Sequence, residues 1–152
     1  MSAANRLLPP ADLDYHGSRW ALWFIWLQIL INAGRGYIHV FWRDSGAGRI
    51  AGIDLSTNGA PVVSLLAQVG IDQLVWGGVE LAVVTRYRRF VPALLVCLLA
   101  KQLGSTWLLW LWKPLGVEAP GKYGALAGVP LVALALWLSL RNQEPTSPRT
   151  NP

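Results

Sequence analysis

The sequence is poor in the residues that catalytic and metal sites most often use. It has one cysteine, Cys97, and two histidines among 152 residues. A single cysteine excludes an intrachain disulfide and a CxxC redox motif. His16 and His39 are not paired at helical spacing, so they predict neither a metal site nor a haem held between helices. No GxSxG, HExxH or phosphate-binding loop occurs, which argues against the known types of hydrolase and ATPase.

Charge is also scarce, and the apolar residues that replace it are grouped. Charged residues make up 14% of the chain and hydrophobic residues 53%, against about 25% charged residues in a soluble domain. The apolar residues form four long blocks, and about 20 such residues span a bilayer core. We therefore predict an all-α integral membrane protein, a four-helix bundle whose transmembrane helices lie at about residues 19–42, 61–85, 90–112 and 122–140. This domain, 19–141, would lie between a tail at 1–18 and a disordered tail at 142–152.

The basic residues predict the orientation of the bundle. The first apolar block is too long for a signal-peptide core and no cleavage site follows it, so we expect it to remain as an anchor. Seven basic residues then fall on the side of the termini and four on the other side. The seven are Arg6, Arg19, Arg86, Arg88, Arg89, Arg141 and Arg149, and the four are Arg43, Arg49, Lys113 and Lys122. This bias predicts a multi-pass inner-membrane protein with both termini in the cytoplasm.

The scattered basic residues also bear on the partners of the chain. The net charge of +5 suits contact with anionic lipid headgroups. The basic residues lie at helix ends and do not cluster on one folded face, so a nucleic-acid partner is not expected. The predicted partner is the lipid membrane.

Four ionisable residues lie inside the apolar blocks. Asp72 lies at the middle of the second block and Glu80 two turns later, Lys101 is the midpoint of the third, and Arg35 is in the first. At 1.5 Å per residue, Arg35 is about 6 Å from the midpoint of its helix. Asp72 and Lys101 thus share one depth, and the four charges sum to zero. Ionisable groups at this depth are costly and are candidates for function.

The buried polar layer has a structural interpretation. In it, Asp72 pairs with Lys101 and fixes the register of the second and third helices, with Arg35 within reach of Asp72. Glu80 then pairs with Gln28 or with the basic turn at 88–89. Further hydrogen bonds would come from Gln68, Gln73, Gln102, Ser105 and Thr106.

A functional interpretation uses the same residues to bind a ligand. Asp72 and Lys101 would form the polar floor of a pocket for a quinone-like or lipid-like molecule, and Arg35 would face an anionic or carbonyl group. Trp76 or Trp107 would stack on the apolar part. The layer could instead relay protons, or form only with a partner subunit. No metal site and no particular cofactor is predicted.

Glycines and loop acids carry two further predictions. Gly34 and Gly36 flank Arg35, and Gly124 and Gly128 have GxxxG spacing. Small residues at such positions let neighbouring helix backbones approach closely. In the loop at 43–60, Asp44 and Asp54 are expected to act as turn and cap residues.

The stretch at 70–96, GIDQLVWGGVELAVVTRYRRFVPALLV, resembles the DoxX-like superfamily of small four-helix bacterial membrane proteins. Gly77, Gly78 and Glu80 match its second-helix signature, and the basic turn at 86–89 matches its turn. Arg35, Asp72 and Lys101 are not part of the family pattern.

The resemblance implies a DoxX-like membrane protein of unestablished activity, serving as a membrane subunit or as a hydrophobic-ligand binder in a redox-linked process. Other membrane subunits or a second copy of the chain are then expected partners. Two alternatives stay open: a small proton-coupled transporter in which Asp72 titrates, and a purely structural subunit of a membrane complex. No reaction is predicted.

Overall fold

A computed structural model describes residues 10–141 of the chain. Its helices are α1 (Arg19–Phe41), α2 (Gly59–Arg86), α3 (Val91–Trp107) and α4 (Pro120–Leu140). A 3-10 turn, Arg88–Phe90, joins α2 to α3, and a π-helical segment, Leu108–Trp112, extends α3. Within the described part of the chain there is no β-strand, only an isolated bridge between Asp12 and Tyr87. The all-α prediction is confirmed.

Local sequence explains where the helices begin. The Ser18 hydroxyl accepts a hydrogen bond from the Trp20 backbone N–H at 3.3 Å and so caps α1. α3 and α4 each have proline in the first turn, at Pro92 and Pro120. Proline fits there because first-turn N–H groups have no acceptor within the helix.

Three helical segments are long and apolar enough to cross a membrane: Gly59–Arg86, Arg88–Trp112 and Pro120–Leu140. α1 has a comparable length of 23 residues but is not among them. It carries Gln28, Asn32, Arg35 and His39 among its apolar residues. The membrane prediction is therefore supported for three of the four predicted spans.

The helices pack as two hairpins. α1 packs extensively on α2, and α3 packs on α4, whereas α2 hardly touches α3. The hairpins meet through an apolar core in the half of the bundle that holds the start of α1 and the end of α4, here called the termini half. The core residues are Ala21, Ile25, Val84, Val91, Leu94, Leu95, Leu98, Val132 and Ala135. The opposite half, which holds the α1–α2 loop and the α3–α4 turn, is called the loop half.

Glycines bring α1 and α2 together. A Cβ atom added at Gly70 would lie 2.7 Å from His39 Cβ and 3.1 Å from the carbonyl oxygen of Gly36. The prediction of close approach is confirmed at Gly36, whereas an added Cβ at Gly34 would meet nothing within 4 Å.

The two glycines of the GxxxG pair in α4 also differ in how closely they are packed. An added Cβ at Gly128 would strike the side chain of Gln102 on α3, so this glycine does permit close packing. An added Cβ at Gly124 would meet nothing within 4 Å, and the prediction fails for it within the described chain.

The segment before α1 packs across the termini half. The backbone N–H of Asp12 donates to the carbonyl of Arg86 at 2.9 Å, and the Asp12 carboxylate pairs with Arg89 at 3.5 Å. The Ser18 N–H donates to the carbonyl of Leu138 at 3.1 Å. The segment thus links the α2–α3 turn to the end of α4. Residues 1–9 and the predicted disordered tail at 142–152 lie outside the described residues.

Candidate functional site

The inner faces of the helices change from apolar to polar between the two halves of the bundle. On α3, the buried apolar face ends at Leu98, and the next residues at helical spacing are Lys101 and Gln102. On α1, the buried Ile25 is followed along the helix by Asn32 and Arg35. A polar cluster therefore lies next to the apolar core, around the middle of the bundle. We define it as Asn32, Arg35, Asp72, Trp76, Glu80 and Lys101.

Glu80 is the most enclosed member of the polar cluster. It is fully buried, at 0% exposure, and the Asn32 amide donates a hydrogen bond to its Oε2 at 2.9 Å. Its Oε1 has no hydrogen-bond partner within the described residues. Asn32 can reach Glu80 because α2 presents Gly77 to it: an added Cβ at Gly77 would be 3.4 Å from Asn32 Cβ. No role was predicted for Asn32, although it lies four residues after Gln28 and three before Arg35, on one face of α1.

The partners predicted for Glu80 are wrong. The hydrogen bond comes from Asn32 and not from Gln28. Arg88 folds back onto its own chain, where its Nε donates to the carbonyl of Val84 at 2.8 Å, and Arg89 pairs with Asp12. Both arginines lie beyond the end of α2 and make these contacts there.

Lys101 comes close to α2 but forms no direct ion pair. Its Nζ lies 5.8 Å from the centroid of the Trp76 ring, an arrangement that permits a cation–π interaction. It is within electrostatic range of Glu80, Arg35 and Asp72. The structure thus gathers the four predicted charges around one amine.

The predicted ion pair between Asp72 and Lys101 is not formed. Asp72 is exposed, and among residues 10–141 it has no ion-pair or hydrogen-bond partner. The reason is that α2 packs on α1 and hardly on α3. Equal depth in sequential helices brings side chains into contact only where those helices pack side by side.

Arg35 reaches towards α4 and not towards Asp72. An added Cβ at Gly121 would be 3.2 Å from Arg35 Nη2, so the guanidinium lies beside the first turn of α4. That end of a helix carries partial positive charge and cannot neutralise a cation. Within the described part of the chain Arg35 has no carboxylate partner. Arg35 and Lys101 are thus two neighbouring cations without a direct counter-ion.

Several buried polar atoms near the polar cluster lack partners. They are Gln73 Oε1, Trp76 Nε1 and Glu80 Oε1 on α2, and Thr106 Oγ1 on α3. A buried polar atom left without a hydrogen bond costs about 1–3 kcal/mol. The indole N–H of Trp76 is a donor that a carbonyl or similar oxygen would satisfy.

Trp107, the other predicted stacking residue, lies outside the polar cluster. It is 51% exposed, and its ring stacks on that of Trp112 with centroids 5.4 Å apart. Trp76 is therefore the aromatic residue of the polar cluster.

Two open cavities lie at the ends of the bundle and contain no member of the polar cluster. One, of about 320 Å³, is lined by Trp42, Arg43, Asp44 and Arg49. The other, of about 290 Å³, is lined by Arg19, Leu22, Trp23, Trp26 and Arg88. No group of three or more His, Cys, Asp or Glu side chains suited to a metal ion occurs within residues 10–141.

The acids of the α1–α2 loop shape turns, as predicted. Asp44 accepts hydrogen bonds from the backbone N–H groups of Arg49 at 2.9 Å and Gly46 at 3.1 Å. These bonds hold the pKa of Asp44 below its usual range, and the bond from Arg49 has the larger effect. Asp54 accepts in the same way from Ser56, and this lowers the pKa of Asp54.

Comparisons with protein-family models, with curated proteins and with solved structures found no match for this chain. The DoxX-like resemblance stays a prediction that rests on residues 70–96.

Proposed function

We propose that the chain is a DoxX-like inner-membrane protein that binds a hydrophobic, quinone-like or lipid-like ligand with its polar head at the polar cluster. In this proposal α1 is the fourth span. Its 23 residues give a length of about 35 Å, enough for the hydrocarbon core. Several of its polar residues face the bundle, where Asn32 bonds to Glu80. Both termini lie in the cytoplasm, in keeping with the basic residues on their side.

The observation that carries the proposal is the pair of cations without a direct counter-ion. Arg35 and Lys101 are within electrostatic range of each other, and the described residues provide neither with a carboxylate contact. Cations inside a membrane domain are costly unless they are paired. An anionic or carbonyl group held between them would offset that cost.

The packing of the hairpins supports a ligand with an apolar tail. α2 and α3 have few contacts with each other, and in this proposal an apolar tail lies between them. Lys101 and Trp76 meet between these helices. A tail could lie against the Trp76 ring while the head contacts the polar cluster. The place of this binding in a redox-linked process rests on the DoxX-like resemblance alone.

Native mass spectrometry of the full chain in mild detergent tests the proposal. We expect a small hydrophobic molecule to be retained by the wild type. Replacing Lys101 by leucine should lower its occupancy roughly tenfold, the equivalent of one charged hydrogen bond. The matched control is Lys113→Leu, since Lys113 lies exposed in the α3–α4 turn. Equal loss in both variants, or a wild type that carries nothing, would contradict the proposal.

A second candidate function, proton-coupled transport, is favoured by the enclosure of Glu80. The carboxyl group is fully buried among the described residues and accepts a hydrogen bond from the Asn32 amide. The exposed Asp72, which the sequence suggested as the titrating group, is less shielded. If no molecule is retained, dissipation of a pH gradient in vesicles that Glu80→Gln abolishes and Asp72→Asn leaves intact would support this function. Copurification of a second polypeptide would instead support a structural subunit.

A further inference from the structure

A groove in the termini half brings two arginines together with two tryptophans. It has a volume of about 290 Å³ and is lined by Arg19, Leu22, Trp23, Trp26 and Arg88. Arg19 is the first residue of α1, and Arg88 belongs to the turn between α2 and α3. The groove therefore lies where the helices emerge on the side of the termini.

Both arginines of the groove lack an acidic partner within residues 10–141. Two other arginines of the same half do have partners, one an acid and the other an aromatic ring. Arg89 pairs with Asp12 at 3.5 Å. The guanidinium carbon of Arg141 lies 3.4 Å from the centroid of the Trp137 ring. These two cations thus share one cavity, and among the described residues no acid lines it.

Arg88 is held in place for a ligand. Its Nε donates to the carbonyl of Val84 at 2.8 Å. This bond fixes the side chain and leaves the two terminal nitrogens available as donors. A guanidinium presented in this way matches the oxygens of a phosphate and can bind two of them at once.

The rest of the groove is apolar, and its two tryptophans are exposed. Trp23 and Trp26 are 68% and 38% exposed. Tryptophan is enriched at the level of lipid headgroups, where its ring lies between water and hydrocarbon. A phosphate at the arginines would therefore continue into an acyl chain along Leu22 and the two indole rings.

We propose that this groove is a binding site for an anionic glycerophospholipid, with Arg19 and Arg88 as the phosphate ligands. Two guanidinium groups and no acid complement a headgroup that bears net negative charge. A choline headgroup would place a third cation beside them, so zwitterionic lipids are disfavoured. The site is separate from the polar cluster and does not need a ligand there, but it rests on the proposed placement of α1 as a membrane span.

The test is lipid titration of the full chain in neutral detergent, followed by native mass spectrometry. Phosphatidylglycerol and phosphatidylcholine with the same acyl chains are the probes. We expect the wild type to prefer phosphatidylglycerol. Arg19→Gln and Arg88→Gln should each weaken its binding about tenfold, as expected for one charged contact, and leave phosphatidylcholine binding unchanged. Circular dichroism shows whether each variant retains its helices.

The matched control is Arg141→Gln, which removes the same charge in the same half but outside the groove. If Arg141→Gln weakens phosphatidylglycerol binding as much, the attraction is diffuse and the site is overturned. Equal binding of both lipids by the wild type would also overturn it. Competition with inorganic phosphate distinguishes a lipid headgroup from free phosphate as the ligand. We expect inorganic phosphate to compete only weakly with phosphatidylglycerol. If it displaces the lipid at equal concentration, the acyl chain is not bound and the lipid site is overturned.

Discussion

At the level of single residues, the contact between Asn32 and Glu80 is the most consequential in the membrane domain. It is a hydrogen bond of 2.9 Å that provides a fully buried carboxyl group with its one partner among the described residues. Hydrogen bonds of this kind hold helices together where water cannot compete. The contact therefore both joins α1 to α2 and sets the orientation of Glu80.

We expect Asn32→Ala to destabilise the protein by about 1–3 kcal/mol, because both oxygens of Glu80 would then be buried without a partner. Thermal unfolding in detergent, followed by circular dichroism, measures the change. Gln28→Ala is the control, since Gln28 lies one turn earlier on α1 and was the alternative partner of Glu80. A loss at Gln28 as large as that at Asn32 would show that the amide of Asn32 has no special role.

The sequence could predict which residues would be polar inside the membrane but not which of them would touch. Asp72, Glu80, Lys101 and Arg35 are visible as charges in apolar blocks. The structure brings the other three within electrostatic range of Lys101. The individual partners depended on which helices pack together. Depth along a helix is a property of sequence position, whereas lateral contact is a property of the fold.

At the level of elements, the α1–α2 hairpin depends on a backbone crossing at Gly36 and Gly70. A side chain at Gly70 would meet His39, Val40 and the backbone of Gly36. Close packing of this kind is a main source of helix association in membranes, where apolar burial contributes little. The same crossing positions Asn32 against Glu80.

Gly70→Ala should therefore destabilise the hairpin by about 1–3 kcal/mol, the usual cost of overpacking. Gly78→Ala is the matched control on the same helix, because an added Cβ there would meet nothing within 4 Å. It should be neutral or stabilising by up to about 1 kcal/mol, as alanine favours the helix more than glycine does. Chemical unfolding in mixed micelles compares the two. The same loss at both sites would refute the packing role of Gly70.

At the level of the whole molecule, the two halves of the bundle are built differently. The termini half has the apolar core and is spanned by the segment before α1. The polar cluster lies around the middle of the bundle, between this core and the loop half.

Tyr15 reports on the segment that spans the termini half. Its hydroxyl donates to the carbonyl of Ser18 at 3.1 Å, and burial raises its pKa from 10.0 to about 12. A folded pKa above the unfolded one stabilises the protein below pH 10, and this contribution is lost as pH rises from 10 to 12.

We expect the stability of the wild type to fall across this range more steeply than that of Tyr15→Phe. Difference absorbance of tyrosinate between the two proteins assigns the transition to Tyr15. Parallel stability curves would mean that the hydroxyl is not held in the folded state.

The sequence by itself determined the all-helical class, the approximate positions of the helices and the presence of ionisable groups inside them. These follow from composition and spacing along the chain, which act locally. It also fixed the roles of Asp44 and Asp54, since turn hydrogen bonds join near neighbours.

Tertiary structure alone decided that α2 packs on α1, that Glu80 bonds to Asn32 and that Asp72 forms no ion pair with Lys101. It also placed Arg19 and Arg88 in one groove, although they lie on separate elements. The physical reason is that every apolar helix offers several faces of similar hydropathy. The choice among them is made by close backbone approach at particular glycines, and this becomes evident only when the helices are assembled.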